Sequence, residues 1–198
     1  MQIFLEENKY IDFSEAIIIK KAKELFEGIN SNIEKARIAF EFVRDSIPHS
    51  FDINANLITV RASEVLNCQT GICHAKSNLL CALLRLENIP TGYCFQHITL
   101  LNDDSRGYCV HCFNAIYLNE KWIKVDATGN TNGKNAQFSL DKPKLAYTNR
   151  PEFNEYYWKG IFSKPHTDSM KMLEKAKTLD DILNTIPDYV YEIPDVLE

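Results

Sequence analysis

Apolar positions between residues 13 and 29 recur at helical spacing, with Ala16, Ile17, Ile19, Ala22, Leu25 and Phe26 on one face and Gly28 at the end, which predicts an amphipathic helix. A second helix is predicted from Ser31 and Asn32. Glu34 stands three residues beyond Ser31, the run Ile33, Ala36, Ile38, Ala39, Phe42, Val43, Ile47 repeats near a 3.6 period, and Pro48 stops it. Residues 49–61 carry little regular pattern and read as loop, and Ala62-Ser63-Glu64-Val65-Leu66 reads as one helical turn. After the loop Cys68-Gln69-Thr70-Gly71, a long helix is predicted to begin at Cys73. Leu79, Leu80, Leu83, Leu84 and Leu86 are spaced to bury one of its faces before Ile89-Pro90 ends it.

The pattern then changes period. Residues 91–101 are rich in aromatic and β-branched side chains and predict a strand, and residues 102–107 are polar and turn-like. Residues 109–118 and 122–127 form two further strand-like runs around Asn119-Glu120-Lys121, which reads as a hairpin. Helices first and antiparallel strands afterwards predict an α+β domain. Residues 129–135 are loop-like. The tail beyond Leu140 carries Tyr147, Phe153, Tyr156, Tyr157, Trp158 and Phe162, a predicted helix around residues 168–177, and an acidic, Pro-containing end. So many aromatics need burial, so the expected organisation is a single domain over residues 1–140 wrapped by an extension over residues 141–198.

Composition narrows the function classes. The 198 residues are 45% hydrophobic and 25% charged, an ordinary globular balance. A net charge of -5 and a pI near 5.6, with basic residues scattered among acids, argue against nucleic acid as a partner. The first residues hold acids where an export signal needs basic ones, and no apolar run reaches membrane-spanning length, so the expectation is a cytoplasmic protein without a membrane partner. In that compartment the six cysteines (68, 73, 81, 94, 109 and 112) are expected as thiols, with Cys81 and Cys94 as small buried hydrophobes.

Cys73 differs from these. A thiol in the first turn of a helix faces unpaired backbone N–H groups and the positive end of the macrodipole, which favour the thiolate. A cysteine nucleophile also needs a base within reach and a third group to orient that base. If Leu118 pairs with Lys121 across a two-residue turn, Asp126 stands opposite Phe113, and His111 is the diagonal neighbour on the same face. Diagonal positions lie roughly 7–8 Å apart, within reach of a carboxylate and an imidazole. A three-residue loop would instead send the two side chains to opposite faces.

Val65-Leu66, Gly71-Ile72-Cys73, Leu79-Leu80-Cys81-Ala82-Leu83-Leu84-Arg85, Ile89-Pro90, His111-Cys112-Phe113-Asn114 and Trp122-Ile123-Lys124-Val125-Asp126-Ala127-Thr128 together resemble the core domain of the transglutaminase-like superfamily. The resemblance covers residues 32–128, and Phe42-Val43-Arg44-Asp45-Ser46-Ile47 looks like that family's lead-in helix. It implies a papain-like α+β cysteine-protease fold, with the nucleophile helix packed on an antiparallel sheet. It also implies a triad of Cys73 as nucleophile, His111 as general base and acid, and Asp126 as orienting carboxylate. Two positions depart from the family: His74 follows the nucleophile, and no tryptophan precedes it in the loop. Oxyanion stabilisation is therefore assigned to the Cys73 N–H with Gln69 as the candidate side chain, an exposed loop amide being the alternative for Gln69.

Two rival readings are set against this. Cys109 and Cys112, with Cys68 and Cys73, could assemble a four-thiolate zinc site, but alternation along a strand sends Cys109 and Cys112 to opposite faces. A catalytically idle binding module on the same fold is the other. The expected function is hydrolysis of an amide or peptide bond through a thioester, with acyl transfer to an amine as the alternative, no cofactor or metal, and a peptide or amide substrate. The tail is expected either to line the cleft, through Tyr156, Tyr157 or Trp158, or to seal the core.

Overall fold

The computed structural model describes residues 1–197, and these are 38% helix and 18% strand. Helix α1 (Ala16–Phe26) begins three residues later than its apolar pattern, because Asp12 is spent elsewhere. The Asp12 carboxylate accepts the Ser63 N–H at 3.0 Å and the Ser63 hydroxyl at 2.5 Å, and residues 12–15 form a turn closed by the Glu15 N–H on the Asp12 carbonyl at 3.1 Å before the helix begins. Helix α2 (Asn32–Ser46) starts where predicted, with the Ser31 hydroxyl accepting the Glu34 N–H. Helix α3 (Ala62–Cys68) runs two residues past its predicted turn and ends at Gln69 in the left-handed conformation, φ 53°.

Helix α4 (Cys73–Leu86) is the axis of the molecule, packed by α1, α2 and α3 on one side and by strands β1 (Thr91–Thr99) and β2 (Tyr108–Leu118) on the other. It is therefore buried on every side from His74 to Arg85, and not on one face as the leucine spacing predicts. Its polar residues are retained because each finds partners. Asn78 donates to the Val60 carbonyl at 2.8 Å and accepts from the Tyr93 hydroxyl at 2.8 Å, and Arg85 donates to the carbonyls of Thr91, Glu6 and Ser163.

Strand β3 (Lys121–Val125) pairs with β2 in the predicted register, Leu118 opposite Lys121, across a turn whose central residues Asn119 and Glu120 both have positive φ, 49° and 63°. That is the two-residue turn whose twist matches the flanking strands. The short strand β4 (Tyr156–Tyr157), which has no clear sequence signal, adds to the other edge, so the sheet order is β3-β2-β1-β4. Alternation sends Tyr93, Phe95, Val110 and Cys112 into the main core, while Cys94, Phe113 and Ala115 join a smaller cluster with Phe4 and Ile161.

The extension adds two helices, α5 (Thr167–Lys175) near its predicted place and α6 (Leu179–Thr185), which the apolar pattern does not predict. Phe162, Met170, Leu173 and Ile182 enter the main core. Among the described residues no helix is long and apolar enough to cross a membrane.

Candidate active site

Cys73 opens α4 because the chain before it is strapped down. The Thr59 hydroxyl donates to the Thr70 carbonyl at 2.9 Å, the Thr70 hydroxyl donates to the Pro48 carbonyl at 3.0 Å, and the Ser50 N–H donates to the Gly71 carbonyl at 3.2 Å. These bonds draw the two loops together at Gly71, where a Cβ would sit 3.1 Å from the Thr59 hydroxyl and 3.3 Å from Val65. A side chain here would fit only if these neighbours moved by a few tenths of an ångström. The consequence is that His49 comes to rest beside the nucleophile, its Nε2 accepting the Cys73 N–H at 3.2 Å. Burial, with Lys76 nearby, pushes the His49 pKa down to about 3, so this ring is neutral.

Hairpin parity delivers the other two groups. His111 on β2 and Asp126, just past β3, are 3% and 0% exposed, and His111 Nε2 lies 2.9 Å from Asp126 Oδ2. The carboxylate is held by the Ala146 N–H on Oδ2 and the Thr128 N–H on Oδ1, both at 3.1 Å. Burial alone would lower the His111 pKa, but the Asp126 charge and hydrogen bond, then a hydrogen bond to Cys73, outweigh it and raise the value above the ordinary imidazole range. Burial likewise opposes ionisation of Asp126, yet His111 and the Thr128 bonds keep its pKa below the usual carboxylate value. With Nε2 committed to Asp126, Nδ1 is the ring nitrogen open to the sulfur.

Neighbouring residues fix the group. The Tyr147 ring stands edge-on to His111, 4.8 Å between centroids at 73°. His74 is fully buried and its Nε2 lies 2.9 Å from the Val110 carbonyl and 3.1 Å from the Ser169 hydroxyl, tying α4 to β2 and α5 one residue away from both Cys73 and His111. The Lys76 ammonium donates to the carbonyls of Ile47 and Thr128, joining the end of α2 to the segment after Asp126. Burial brings its pKa down to about 8 against the pull of Asp126.

Cys73, His111 and His49 line one cleft of about 550 Å³, counted with its open mouth, together with Phe51, Tyr147 and residues of β1, β2 and α6. Gln69 is not among them. Its side chain is exposed and its amide donates to the Leu66 carbonyl, because the left-handed turn that ends α3 folds it back on its own helix. The side chain that meets the Cys73 N–H is His49, 24 residues earlier, and a histidine in a patternless loop carries no sequence signal for this contact. Cys109 faces the cleft while Cys112 lies in the core, as strand alternation requires. Of the tail aromatics, Tyr147 reaches the cleft. Tyr156 and Trp158 pack around His97 instead, at 4.7 and 5.9 Å, and Tyr157 lines a separate hollow beside Tyr147, because β4 joins the sheet edge away from Cys73.

The family model of the Transglutaminase-like superfamily matches residues 19–127. Among solved structures, a candidate cysteine protease from Cytophaga hutchinsonii superposes with a TM-score of 0.51 at 21% identity, over 63% of this chain and 40% of that one. A second, described as a TGase, gives a TM-score of 0.44 at 13% identity, over 92% of this chain and 52% of that one. The chain thus spans about half or less of the length of these two proteins. A comparison with curated proteins gives no match. Because the matched region covers more than half of the residues and contains α2 to β3, with Cys73, His111 and Asp126 inside it, the chain belongs to the transglutaminase-like superfamily.

Proposed function

We propose that the protein is a cysteine-dependent hydrolase of amide or peptide bonds, with Cys73 as nucleophile, His111 as base and acid, and Asp126 as the group that orients and charges His111. The observation that carries this reading is His111 placed between Cys73 and a doubly hydrogen-bonded Asp126, with its proton affinity raised, at the wall of a cleft. The Cys73 sulfur attacks the substrate carbonyl carbon, forming the C–S bond. The proton held by His111 passes to the leaving nitrogen as the C–N bond breaks, which leaves a thioester. Water then gives a proton to His111 and attacks the thioester carbonyl, the C–S bond breaks, and free acid departs.

The tetrahedral intermediate needs donors at its oxygen. In the resting site the Cys73 N–H donates to His49 Nε2. An incoming carbonyl oxygen takes over this N–H, and His49, whose single proton sits on Nδ1 while Nε2 accepts the Cys73 N–H, supplies the second donor once exchange with water moves that proton to Nε2, in the role first assigned to Gln69. Hydrolysis is favoured over transfer because water reaches any cleft open to solvent, whereas an amine acceptor needs a site of its own.

The test is to screen peptide and amide libraries with wild type and Cys73→Ala, with and without added primary amine. Free acid released by wild type alone, regardless of amine, is the expected result. Product that forms only with amine would make the protein a transferase, and equal rates for both proteins would end the thiol mechanism. Limited iodoacetamide treatment should modify Cys73 ahead of exposed Cys68 and buried Cys81, Cys109 and Cys112. Burial raises the thiol pKa of those last three.

A further inference from the structure

The walls of the cleft differ sharply from its floor. Beside Cys73 and the two histidines, Leu100, Leu101, Ile98, Phe51, Leu183 and Ile186 form an apolar lining, and among the described residues no carboxylate, ammonium or guanidinium group faces in. A charged substrate group entering here would lose its hydration without gaining a partner, whereas an apolar group would leave water for a matching surface.

Two of these walls are built features. Leu101 is a non-glycine residue at φ 57°, half exposed at 51%, in a turn fixed by the Leu100 N–H on the Gly107 carbonyl at 2.9 Å and by the Asp103 carboxylate on the Ser105 N–H at 3.0 Å. Leu101 thus presents an apolar side chain at the mouth of the cleft from a backbone conformation that a non-glycine residue rarely adopts. The opposite wall comes from the extension. The Thr178 hydroxyl and the Asp181 carboxylate cap the start of α6, buried Ile182 anchors it, and the Val110 N–H donates to the Pro187 carbonyl at 2.8 Å, one residue from His111 and one from Ile186. Leu183 and Ile186 are thereby hung over the cleft on the strand that carries the base.

We propose that this pocket receives an uncharged apolar group on the acyl side of the scissile bond, the part that stays on sulfur as the thioester, and that Leu183 and Ile186 of the extension set this preference. The inference rests on the thiol acyl-enzyme reading above and adds the substrate class to it.

The test uses the full chain and p-nitrophenyl esters of acetic, butyric, hexanoic and succinic acid, following the burst of p-nitrophenolate with the Cys73→Ala rate subtracted. The burst rate constant is expected to rise about three- to fourfold per methylene from acetyl to hexanoyl. The hemisuccinate, which carries a carboxylate of similar length, should fall below butyrate. Leu183→Asp should flatten the series and Leu183→Met should keep it, with Leu183→Ala as the substitute if the Asp variant does not accumulate. A burst that is level or falling along the wild-type series overturns the apolar pocket while leaving the thiol mechanism standing. A Leu183→Asp series as steep as wild type overturns the role of α6. No burst from any ester, together with no iodoacetamide adduct on Cys73, overturns the mechanism and this proposal with it.

Discussion

In the proposed mechanism the chemistry turns on one proton on His111 and on the carboxylate that holds it there. Asp126→Ala should slow iodoacetamide labelling of Cys73 at neutral pH, and Asp126→Asn, which keeps the packing but no longer stabilises the charged ring, should lower turnover by roughly 10²–10⁴-fold. The same pair contributes stability with a defined sign. The His111 pKa is higher in the folded state than in the unfolded chain. Its contribution is therefore complete below about pH 6.5, the ordinary imidazole value, and is lost as pH rises through the folded value. The melting-temperature gap between wild type and Asp126→Asn should accordingly be widest in weak acid and close on the alkaline side. A gap that widens with pH would contradict the raised histidine. For His49, whose Nε2 faces the Cys73 N–H, Ala should lower turnover about 10²-fold by removing an oxyanion partner. Alkylation by iodoacetamide forms no oxyanion, so labelling of Cys73 in that variant should stay near wild type, and a parallel loss in both assays would make His49 a packing residue.

Among the elements, the hairpin decides whether there is a site at all. Leu118 pairs with Lys121 across Asn119 and Glu120, and this register alone puts Asp126 on the face of His111. Inserting one glycine between Asn119 and Glu120 shifts the parity of β3 and turns Asp126 away. Labelling of Cys73 in the insertion variant should fall to the rate of Asp126→Ala, and wild-type labelling would show that the pair is not set by the turn. The relation is legible in the sequence because β-strand side chains alternate with a strict period of two. Helix α4 was legible in its extent and less so in its surroundings. Its leucines predict one buried face, but Asn78, Lys76 and Arg85 are buried as well, each satisfied by groups from segments distant in sequence.

At the scale of the whole molecule, the extension both completes the core and closes the cleft. Phe162 sits against Phe95 at 4.9 Å within the core, and Phe162→Ala should cost roughly 3–5 kcal/mol in a chemical-denaturation measurement. Trp158 packs half-buried beside Tyr156 and His97, away from Cys73, so Trp158→Ala should cost about 1–3 kcal/mol and leave turnover near wild type. Turnover that collapses with unchanged stability would place Trp158 at the substrate instead.

The periodicity of the chain by itself determined the order of α1 to α4 and β1 to β3, the start of α4 at Cys73 and the same-face relation of His111 and Asp126, but neither β4 nor α6. Each of these follows from local rules: 3.6 residues per helical turn, two per strand repeat, and the twist that a two-residue turn accepts. Only the tertiary structure decided which groups stand beside the sulfur. His49 reaches Cys73 because hydroxyls of Thr59 and Thr70 bind two loops together across many residues, and Gln69 is lost to the site because a left-handed turn points it back at Leu66. Leu183 and Ile186 line the cleft because one strand N–H, that of Val110, fastens the tail over it. Such contacts join segments whose spacing in sequence carries no period, so they are settled by the sum of packing and hydrogen bonding when the chain closes on itself.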